Sequence, residues 1–342
     1  MSDILVLPDL YTGSALTRIS TLLKKTIDES DLEIKVIDFT GPLTTIKSGD
    51  LDDPEIFFNH NVSTLLNLKN EVKNGDNILF ADFFQPGLGM LQYYLDGCNK
   101  KVKYGALFHG ASILNCDYYQ EKKWMNNFEL GMLNLMDKVY VPSKYAANNL
   151  NKFIKNSKVR VFPYGFDPSE YACNLNANTK EFDVIIPHRW SWEKNPQFWG
   201  KLVKAMPKTQ FAISGFGAES TDYKLKEIFK STISQKNITD LGVTDEKNHI
   251  YDLSRAKIVL ATQDLFGYSY REAMACGCIP VVIDDFCYPE FVPKTHRFQN
   301  LEGATQLIDK FVKTYPDKYL KPKKYSFGEI LEDFYGKNMS MH

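Results

Sequence analysis

The sequence has few of the features that mark secreted, metal-binding or membrane-spanning proteins. Among 342 residues there are six cysteines, and none of them forms a CxxC pair. Neither a disulfide framework nor a zinc site is therefore indicated, and reduced, buried cysteines are expected. No apolar run approaches the ~20 residues that a membrane-spanning helix needs. The first residues lack the basic region of a signal peptide, so we expect a cytoplasmic protein.

An excess of charge of one sign is also absent. Lys and Arg number 41, Asp and Glu number 42, and the net charge is −1. Nucleic acid is therefore not indicated by overall charge, and any such site must be a local patch. The 44% hydrophobic and 24% charged residues are typical of a folded, soluble enzyme. The length exceeds that of one ordinary core and predicts two domains.

Short apolar runs alternate with helix-length segments, and this alternation predicts parallel sheets built from βα units. The predicted class is α/β with two doubly wound, Rossmann-like domains. We place the domains at residues 1–170 and 171–322, followed by a C-terminal helix within 323–342. The predicted strands are Ile4–Leu7, Glu33–Phe39, Asn77–Ala81, Lys103–Phe108, Lys138–Val141, Lys158–Phe162, Asp183–Ile186, Gln210–Ser214, Lys257–Ala261 and Ile279–Ile283.

The stretch from Ala261 to Asp285 predicts a strand, a turn, a helix and a second strand. Asp264 comes at the helix entry and Glu272 lies within the helix. The first N–H groups of a helix favour an anion, so an anionic ligand is expected beside these carboxylates. The alternative is that Asp264 only caps the helix.

Two cations follow a predicted strand in the second half of the chain. Arg189 and Lys194, in Pro187-His-Arg-Trp-Ser-Trp-Glu-Lys, are five residues apart. An arginine fork and a lysine point charge suit a diphosphate, although a solvated basic loop is the alternative. Gly215 follows the next strand in a G-x-G pattern, which by itself indicates only a tight turn.

The stretch around Glu272 resembles the E-x7-E segment of retaining GT-B glycosyltransferases, which use nucleotide-activated sugars. The matching residues are Asp264, Phe266-Gly267, Glu272-Ala-Met-Ala-Cys-Gly277 and Pro280-Val-Val282. The family has glutamate at the first acid, where this chain has aspartate. The resemblance covers nearly the whole chain. It implies a GT-B fold, with two domains facing across a cleft and a last helix that crosses back to the first domain.

The resemblance also implies roles for individual residues. Arg189 and Lys194 would neutralise the leaving diphosphate, Glu272 would bind the ribose hydroxyls, and Asp264 would face the donor sugar. A donor sugar smaller than the common hexoses, such as a pentose, would fit the shorter acid. The other expected donor-binding residues are Phe266, Gly267, Tyr268, Ser269, Gly215, Gly242 and Gly13.

Polar residues at strand ends of the first half are candidates for the chemistry. The resemblance implies that His109 contacts the donor sugar, and the alternative is a structural hydrogen bond. Asp82 and Asp117 are candidates to bind or deprotonate an acceptor hydroxyl. Tyr11 would line the acceptor side.

No metal or cofactor is expected besides the nucleotide sugar as co-substrate. Asp50-Leu-Asp52 has the D-x-D pattern of metal-dependent glycosyltransferases of the other main fold. Its turn-rich surroundings favour a solvated loop instead.

The expected function is therefore that of a retaining glycosyltransferase with a UDP-sugar donor. Aromatic residues interleaved with lysines in the first half suit stacking on a flipped base, and the chain is similar to phage DNA glycosyltransferases. The predicted acceptor is a hydroxymethylated base in double-stranded DNA, with the enzyme in the host cytoplasm. The alternatives are a glycan, a lipid-linked sugar or a small molecule as acceptor, a non-catalytic nucleotide-sugar binder, or a sugar phosphorylase. The residues concerned are Phe83, Phe84, Tyr93, Tyr94, Tyr118, Tyr119, Trp124, Lys100, Lys101, Lys103, Lys122 and Lys123.

Overall fold

The structure is a computed structural model that describes residues 3–7, 15–37, 54–114, 123–171, 180–215, 222–242, 246–315 and 319–336. The chain divides into two compact units. Unit 1 comprises residues 1–165 and 325–342, and unit 2 comprises residues 166–324. These limits lie a few residues from the sequence-based boundaries after 170 and 322. Each unit contains one six-stranded parallel sheet with surrounding helices, and the predicted α/β class is confirmed.

Unit 1 is built on short, buried strands. They are β1 (Asp3–Val6), β2 (Ile34–Ile37), β3 (Asn77–Phe80), β4 (Lys103–Leu107), β5 (Lys138–Val141) and β6 (Val159–Val161). The helices between them are α1 (Ala15–Asp28), α2 (Pro54–Glu71), α3 (Leu88–Gly97), α4 (Lys123–Leu135) and α5 (Lys144–Leu150). The strand order is β2-β1-β3-β4-β5-β6. Every residue of β1 and β3 is buried, as expected for parallel strands covered on both faces.

Unit 2 repeats this plan. Its strands are β7 (Phe182–Ile186), β8 (Phe211–Ile213), β9 (Ile238–Asp240), β10 (Ala256–Ala261), β11 (Ile279–Ile283) and β12 (Arg297–Phe298). Its helices are α6 (Pro196–Ala205), α7 (Tyr223–Ile233), α8 (Glu246–Ser254), α9 (Tyr268–Ala275), α10 (Tyr288–Phe291) and α11 (Leu301–Thr314). The strand order is β12-β11-β10-β7-β8-β9. The order reverses between β7 and β10, and ligands of doubly wound sheets bind at such a switch point.

The core of unit 2 contains an aromatic cluster beside the residues that follow β7. Trp199 of α6 is fully buried, and its ring centroid is 5.2 Å from that of Trp190. Trp190 in turn lies 5.1 Å from Phe229 of α7. Helix α6 begins with Pro196 after Asn195, whose side chain accepts a hydrogen bond from the N–H of Phe198. This fixed start places the preceding Lys194 at the end of the sheet.

The C-terminal segment packs on unit 1 through α12 (Gly328–Tyr335). The hydroxyl of Tyr335 donates to the carbonyl of Ile4 over 2.8 Å. Asp333 accepts from Lys138 Nζ at 2.9 Å and from the Tyr140 hydroxyl at 2.7 Å. Partial burial raises the pKa of Asp333, but these two donors outweigh it and hold the pKa below its ordinary value. The last helix thus joins the first unit, as the resemblance implies.

Two strands of the structure, β9 and β12, are not predicted from the sequence. They have only three and two residues, and these residues carry little apolar signal. They form because β8 and β11 offer an edge for pairing, which is a tertiary effect.

Among the described helices, none is both long and apolar enough to cross a membrane.

The packing of α12 on the sheet makes a stability prediction. A Cβ at Gly105 would lie 2.5 Å from Phe334 Cε2, so Gly105→Ala must displace this ring. We expect a loss of about 1–3 kcal/mol in the free energy of unfolding, measured by thermal denaturation. Gly131→Ala in α4 is the control, because nothing lies within 4 Å of its added Cβ. It should be neutral or stabilising by about 0.5–1 kcal/mol. Equal effects of the two substitutions would contradict the described packing.

Candidate functional site

The candidate site of unit 2 is centred on the carboxyl ends of β7 and β10. Both strands are parallel neighbours, with Val259 of β10 opposite Ile185 of β7. His188, Arg189 and Lys194 follow β7, and Asp264 follows β10. Because these strands are adjacent and parallel, the segments that follow them meet at one edge of the sheet.

Lys194 connects the two segments. Its Nζ donates to the carbonyl of Gln263 over 2.8 Å and lies 3.6 Å from Asp264 Oδ2. Its own carbonyl accepts from Thr262 Oγ1 at 2.6 Å. The indole N–H of Trp199 donates to the same Thr262 oxygen over 3.2 Å. The ammonium group of Lys194 is thus held across the switch point by the chain on both sides.

Arg189 lies on the outer side of the same segment. Its Nε and Nη2 both lie 2.8 Å from Glu193 Oε1. Glu193 is buried and also accepts from Ser191 Oγ at 2.6 Å. The Arg189 side chain remains 45% exposed. A guanidinium that is oriented on one side and exposed on the other can bind an anionic ligand.

Asp264 is a charged acceptor within the site and does not cap the following helix. Its Oδ1 accepts from the N–H of Leu265 at 2.8 Å, with the N–H of Phe266 at 3.4 Å. Helix α9 instead has Gly267 as its N-cap, without a side-chain cap. Partial burial raises the pKa of Asp264, but the charge of Lys194 and the backbone N–H groups of Leu265 and Phe266 outweigh it and lower the pKa. The carboxylate is therefore ionised, and the interpretation of Asp264 as a helix cap is wrong.

The start of α9 requires glycine. Gly267 has φ of +77°, and a Cβ there would lie 2.3 Å from Tyr270 Cε1. The turn fixes where α9 begins, and the first N–H groups of an α-helix have no carbonyl partner within the helix itself. Such a helix end favours a negatively charged group.

Glu272 lies inside α9 and is completely buried. Its Oε2 is 3.4 Å from Nε2 of His249, which comes from α8. A buried carboxylate is costly unless donors or a cation satisfy it. The pair therefore brings α8 into the candidate site.

His188 forms the floor of the site. Its ring stacks on Trp199 with a centroid distance of 6.1 Å, and only 5% of the residue is exposed. Burial lowers the pKa of His188 to about 3, and the positive charges of Lys194 and Arg189 add to this effect. His188 is consequently neutral at physiological pH.

Two of the predicted glycines lie beside this floor. Gly215 follows β8, and an added Cβ would lie 2.9 Å from the carbonyl oxygen of His188. The N–H of Gly215 donates to the carbonyl of Gly242, which follows β9, over 3.0 Å. The ends of β8 and β9 are thereby tied to the end of β7. The structure brings Gly215 and Gly242 to the same sheet edge as Lys194.

In unit 1, His109 and Asp82 lie on adjacent strand ends. Nε2 of His109, which follows β4, donates to the carbonyl of Ala81 after β3 over 2.6 Å. Its ring lies 5.2 Å from that of Tyr164. Asp82 Oδ1 accepts from the N–H of Phe84 at 3.3 Å. His109 therefore makes a structural hydrogen bond to Ala81, as the alternative interpretation expects. A contact of His109 with a donor sugar stays a prediction.

Several predicted residues lie outside the described residues. These are Gly13, Tyr11, Asp117 and the Asp50-Leu-Asp52 stretch. Within the ranges that the structure describes, no three His, Cys, Asp or Glu side chains are grouped so as to hold a metal ion. The metal and acceptor predictions for these positions stay predictions.

Among the described residues, the predicted aromatic residues and lysines do not form one surface. Phe83 is buried, with its ring 5.1 Å from that of Phe108. Lys100, Lys101 and Lys103 come at the amino end of β4, whereas His109 follows its carboxyl end. Sequence proximity misled here because a strand of five residues separates its two ends by ~17 Å.

A smaller aromatic row does lie at the carboxyl edge of unit 1. Phe84, which follows β3, has its ring centroid 6.1 Å from that of Phe128 in α4. Phe128 is 6.2 Å from Trp124, and Trp124 is 66% exposed. The row thus runs from the strand end out to solvent.

Sequence reasoning did not single out His188, His249 or Glu193 as site residues. His188 and Glu193 lie within the Arg189 and Lys194 motif, and their polar character amid tryptophans was an available signal. His249 carries no such signal. Its role depends on the packing of α8 against α9, which the local sequence does not show.

Comparisons with known proteins agree on one kind of protein. Residues 169–298 match the family model described as "Glycosyl transferases group 1". That segment contains Arg189, Lys194, Asp264 and Glu272. Among solved structures, sucrose-phosphate synthase from Thermosynechococcus elongatus superposes with a TM-score of 0.72, at 13% identity over 98% of both chains. The catalytic domain of starch synthase IV from Arabidopsis thaliana, bound to ADP and acarbose, gives 0.70 at 11% identity over 98% of both. These findings support a glycosyltransferase family of GT-B fold.

The curated relatives match this chain over only part of their length. A tRNA-queuosine alpha-mannosyltransferase of Drosophila melanogaster is 25% identical over 169 residues, which cover 46% of this chain and 45% of that protein. A poly(glycerol-phosphate) alpha-glucosyltransferase of Bacillus subtilis is 26% identical over 191 residues, 54% of this chain and 28% of that protein. The matches therefore span less than half the length of these relatives.

The buried, neutral His188 makes a pH prediction. Its pKa in the folded protein is about 3 instead of 6.5, so the unfolded chain takes up a proton first as the pH falls. Protonation of His188 in the unfolded chain therefore lowers the free energy of unfolding progressively as the pH falls from about 6.5 to about 3. In His188→Gln, the free energy of unfolding should depend less on pH between 6.5 and 4. Denaturation followed by tryptophan fluorescence measures this, because Trp190, Trp192 and Trp199 belong to unit 2. An unchanged dependence would contradict the described environment.

Proposed function

We propose that this chain is a retaining glycosyltransferase that moves a sugar from a nucleoside diphosphate sugar, with a UDP-sugar as the expected donor, to an acceptor hydroxyl. The observation that carries the proposal is the position of Lys194. Its ammonium group spans the switch point between β7 and β10, bonded to Gln263 and close to Asp264. The exposed Arg189 and the start of α9 lie on the segments that follow the same two strands.

These groups suit a diphosphate better than other anions of the same charge. Arg189 can contact two oxygens with its planar fork, Lys194 adds a point charge, and the first turn of α9 adds the positive end of a helix. Negative charge grows on the diphosphate as the bond to the sugar breaks. Fixed positive groups at that position therefore stabilise the transition state more than the bound substrate.

The proposed transfer needs no covalent intermediate on the protein. The bond between the anomeric carbon and the diphosphate oxygen breaks, and the acceptor oxygen bonds to the same face of that carbon. The acceptor proton passes to an oxygen of the departing diphosphate. Arg189 and Lys194 keep that diphosphate in place while it accepts the proton. Retention of the anomeric configuration follows from attack on the leaving-group face.

Asp264 and Glu272 would divide the recognition of the donor. The ionised Asp264 would accept hydrogen bonds from hydroxyls of the sugar, and the buried Glu272 would accept them from the ribose. Asp264 is one methylene shorter than glutamate, so the choice between a hexose and a pentose is expected to depend on it. Because cations and a helix end already supply positive charge at the diphosphate, we propose that donor binding needs no divalent metal.

The proposed acceptor is a hydroxyl on a modified nucleobase within a polynucleotide, with a hydroxymethylated base in double-stranded DNA, as in a phage genome, as the first candidate. The row of Phe84, Phe128 and Trp124 offers an exposed ring at the strand-end edge that also carries His109 and Asp82, and bases stack on such rings. The name of the Drosophila relative adds tRNA as a second polynucleotide. The name of the Bacillus relative favours poly(glycerol-phosphate) as the non-nucleic acceptor.

A transfer assay with Arg189→Ala tests the proposed function. Purified protein is incubated with UDP-, GDP- and ADP-sugars, and release of the nucleoside diphosphate is measured with and without EDTA. Arg189→Ala should lower turnover by about 10²–10³-fold, because it removes a cation that acts on the leaving group. Lys201→Ala, on the exposed face of α6, is the matched loss of a positive charge and should retain wild-type turnover. Near-normal turnover in Arg189→Ala would contradict the proposed donor site.

The same assay separates the acceptors. Hydroxymethylated duplex DNA, tRNA and poly(glycerol-phosphate) are added in turn, and sugar incorporation into each polymer is measured at low salt. The proposal expects incorporation into a polynucleotide, with binding that weakens as salt rises. Incorporation into poly(glycerol-phosphate) alone would contradict the nucleobase acceptor and leave the donor site intact.

A further inference from the structure

Lysines gather at the amino end of the sheet of unit 1, away from the strand ends that carry His109 and Asp82. They lie in the segments that lead into β4 and β6, and together they are called the basic edge: Lys100, Lys101, Lys103, Lys152, Lys155 and Lys158. Strand β5 lies between β4 and β6 and is parallel to both. Neighbouring strands are about 4.8 Å apart, so β4 and β6 begin about 10 Å from each other on one edge of the sheet.

The lysines of the basic edge have no carboxylate partners. At the start of β5, by contrast, Lys138 Nζ lies 2.9 Å from Asp333 Oδ2. Within the part of the chain that the structure describes, no lysine of the basic edge forms such an ion pair. Their positive charges are therefore not neutralised by a neighbouring acid.

Two of these lysines are held against the backbone, and the others are exposed. Lys100 Nζ donates to the carbonyl of Val72 over 2.8 Å, and Lys158 Nζ donates to the carbonyl of Asn134 over 2.7 Å. A neutral carbonyl leaves the charge of the ammonium group in place. The exposed members are Lys101, Lys103, Lys152 and Lys155.

The charges at the amino end of this sheet are segregated along the strand order. The edge strand β2, at the far side from β6, is preceded by the exposed acids Asp28, Glu29, Asp31 and Glu33. Near β4 and β6 the acids are fewer: Asp96 lies in the last turn of α3, and Asp137 precedes β5, where Lys138 offsets it. The net charge of −1 for the whole chain therefore coexists with a positive region at β4 and β6.

A group of lysines without carboxylate partners is complementary to a polymer that carries regularly spaced negative charges. Each strand of duplex DNA has one negative charge per ~3.4 Å of the helix axis, so a surface about 10 Å across meets several phosphates. Phe153, 45% exposed, is the one large apolar side chain exposed in the two segments, both of which the structure describes in full. One apolar side chain is too little to anchor a lipid surface, so the phosphodiester backbone of a polynucleotide is the better partner.

The basic edge lies at the opposite end of the sheet from the row of Phe84, Phe128 and Trp124. The five residues of β4 separate the two ends by ~17 Å. A single nucleotide is shorter than this distance, whereas duplex DNA covers it in about five base pairs at ~3.4 Å each. A polymer can therefore contact the basic edge while one of its bases lies at the aromatic row.

We propose that the basic edge binds the phosphodiester backbone of the polynucleotide acceptor, several nucleotides away from the base that is modified. This inference rests on the proposed function, in which the acceptor is a base within a polynucleotide. It assigns to the lysines before β4 and β6 a role in affinity for the polymer, without a role in the choice of base.

The test measures binding of a fluorescently labelled duplex to the full chain. The duplex contains hydroxymethylated bases and has about 20 base pairs, which exceeds the distance between the two ends of the sheet. Fluorescence anisotropy gives the dissociation constant at several salt concentrations. The test variants replace the exposed lysines in pairs: Lys101→Gln with Lys103→Gln, and Lys152→Gln with Lys155→Gln. The matched control is Lys201→Gln with Lys204→Gln, two exposed lysines of α6 in unit 2.

Each test pair should weaken binding of the duplex by about tenfold at low salt. It should also reduce the slope of log K against log salt by about 1.8, because each phosphate contact contributes about 0.9. In the transfer assay, the KM for the duplex should rise while kcat at saturating duplex is retained, because these lysines do not touch the reacting atoms. The control pair should keep the wild-type affinity and slope.

The inference is overturned if both test pairs keep the wild-type affinity and slope, or if the control pair loses as much as they do. Equally tight binding of poly(glycerol-phosphate), or of vesicles with anionic lipids, would also overturn it, because the surface would then not select a polynucleotide. The proposed function fails separately. A wild-type protein that binds the duplex through these lysines but releases no nucleoside diphosphate from any nucleotide sugar would contradict the glycosyltransferase and leave the surface established.

Discussion

The site of unit 2 depends on one lysine that joins two parallel strand ends. The ammonium group of Lys194 reaches from the segment after β7 to the carbonyl of Gln263 after β10, beside Asp264. Thr262 closes the link from the other side by donating to the carbonyl of Lys194. A cation next to an ionised carboxylate would be largely neutralised in a dry interior. Here both side chains are partly exposed, 16% for Lys194 and 24% for Asp264, so a more highly charged ligand can compete for the lysine.

The surrounding structure keeps this link in place. Trp199 supports it from below, since its indole N–H bonds to Thr262 and its ring carries His188. The left-handed turn at Gly267 starts α9 without a side-chain cap, and the helix then carries Glu272 into the interior. A cation, a neutral histidine and a helix N-terminus are therefore brought together by packing around one switch point. Besides its glycines, the site has Asn195, directly after Lys194, in the left-handed region with φ of +58°.

The local sequence predicts the features of the site that lie within short segments. Runs of three or four buried apolar residues identify strands such as β7 and β10, and the spacing of Arg189 and Lys194 places two cations after one of them. The local sequence does not show contacts between segments that are distant along the chain. The pair of His249 and Glu272 exists because α8 packs on α9, and β12 exists because β11 offers an edge. The lysines before β4 come at the amino end of that strand, whereas His109 follows its carboxyl end.

The most direct measurement of the central claim is amide hydrogen exchange with and without a nucleoside diphosphate. If the diphosphate binds at the switch point of unit 2, exchange should slow at residues 266–270, where α9 begins, and at residues 188–194 after β7. The same slowing should be lost in Lys194→Ala. Slowed exchange confined to the strand ends of unit 1, or no change in either segment at saturating nucleotide, would contradict the account.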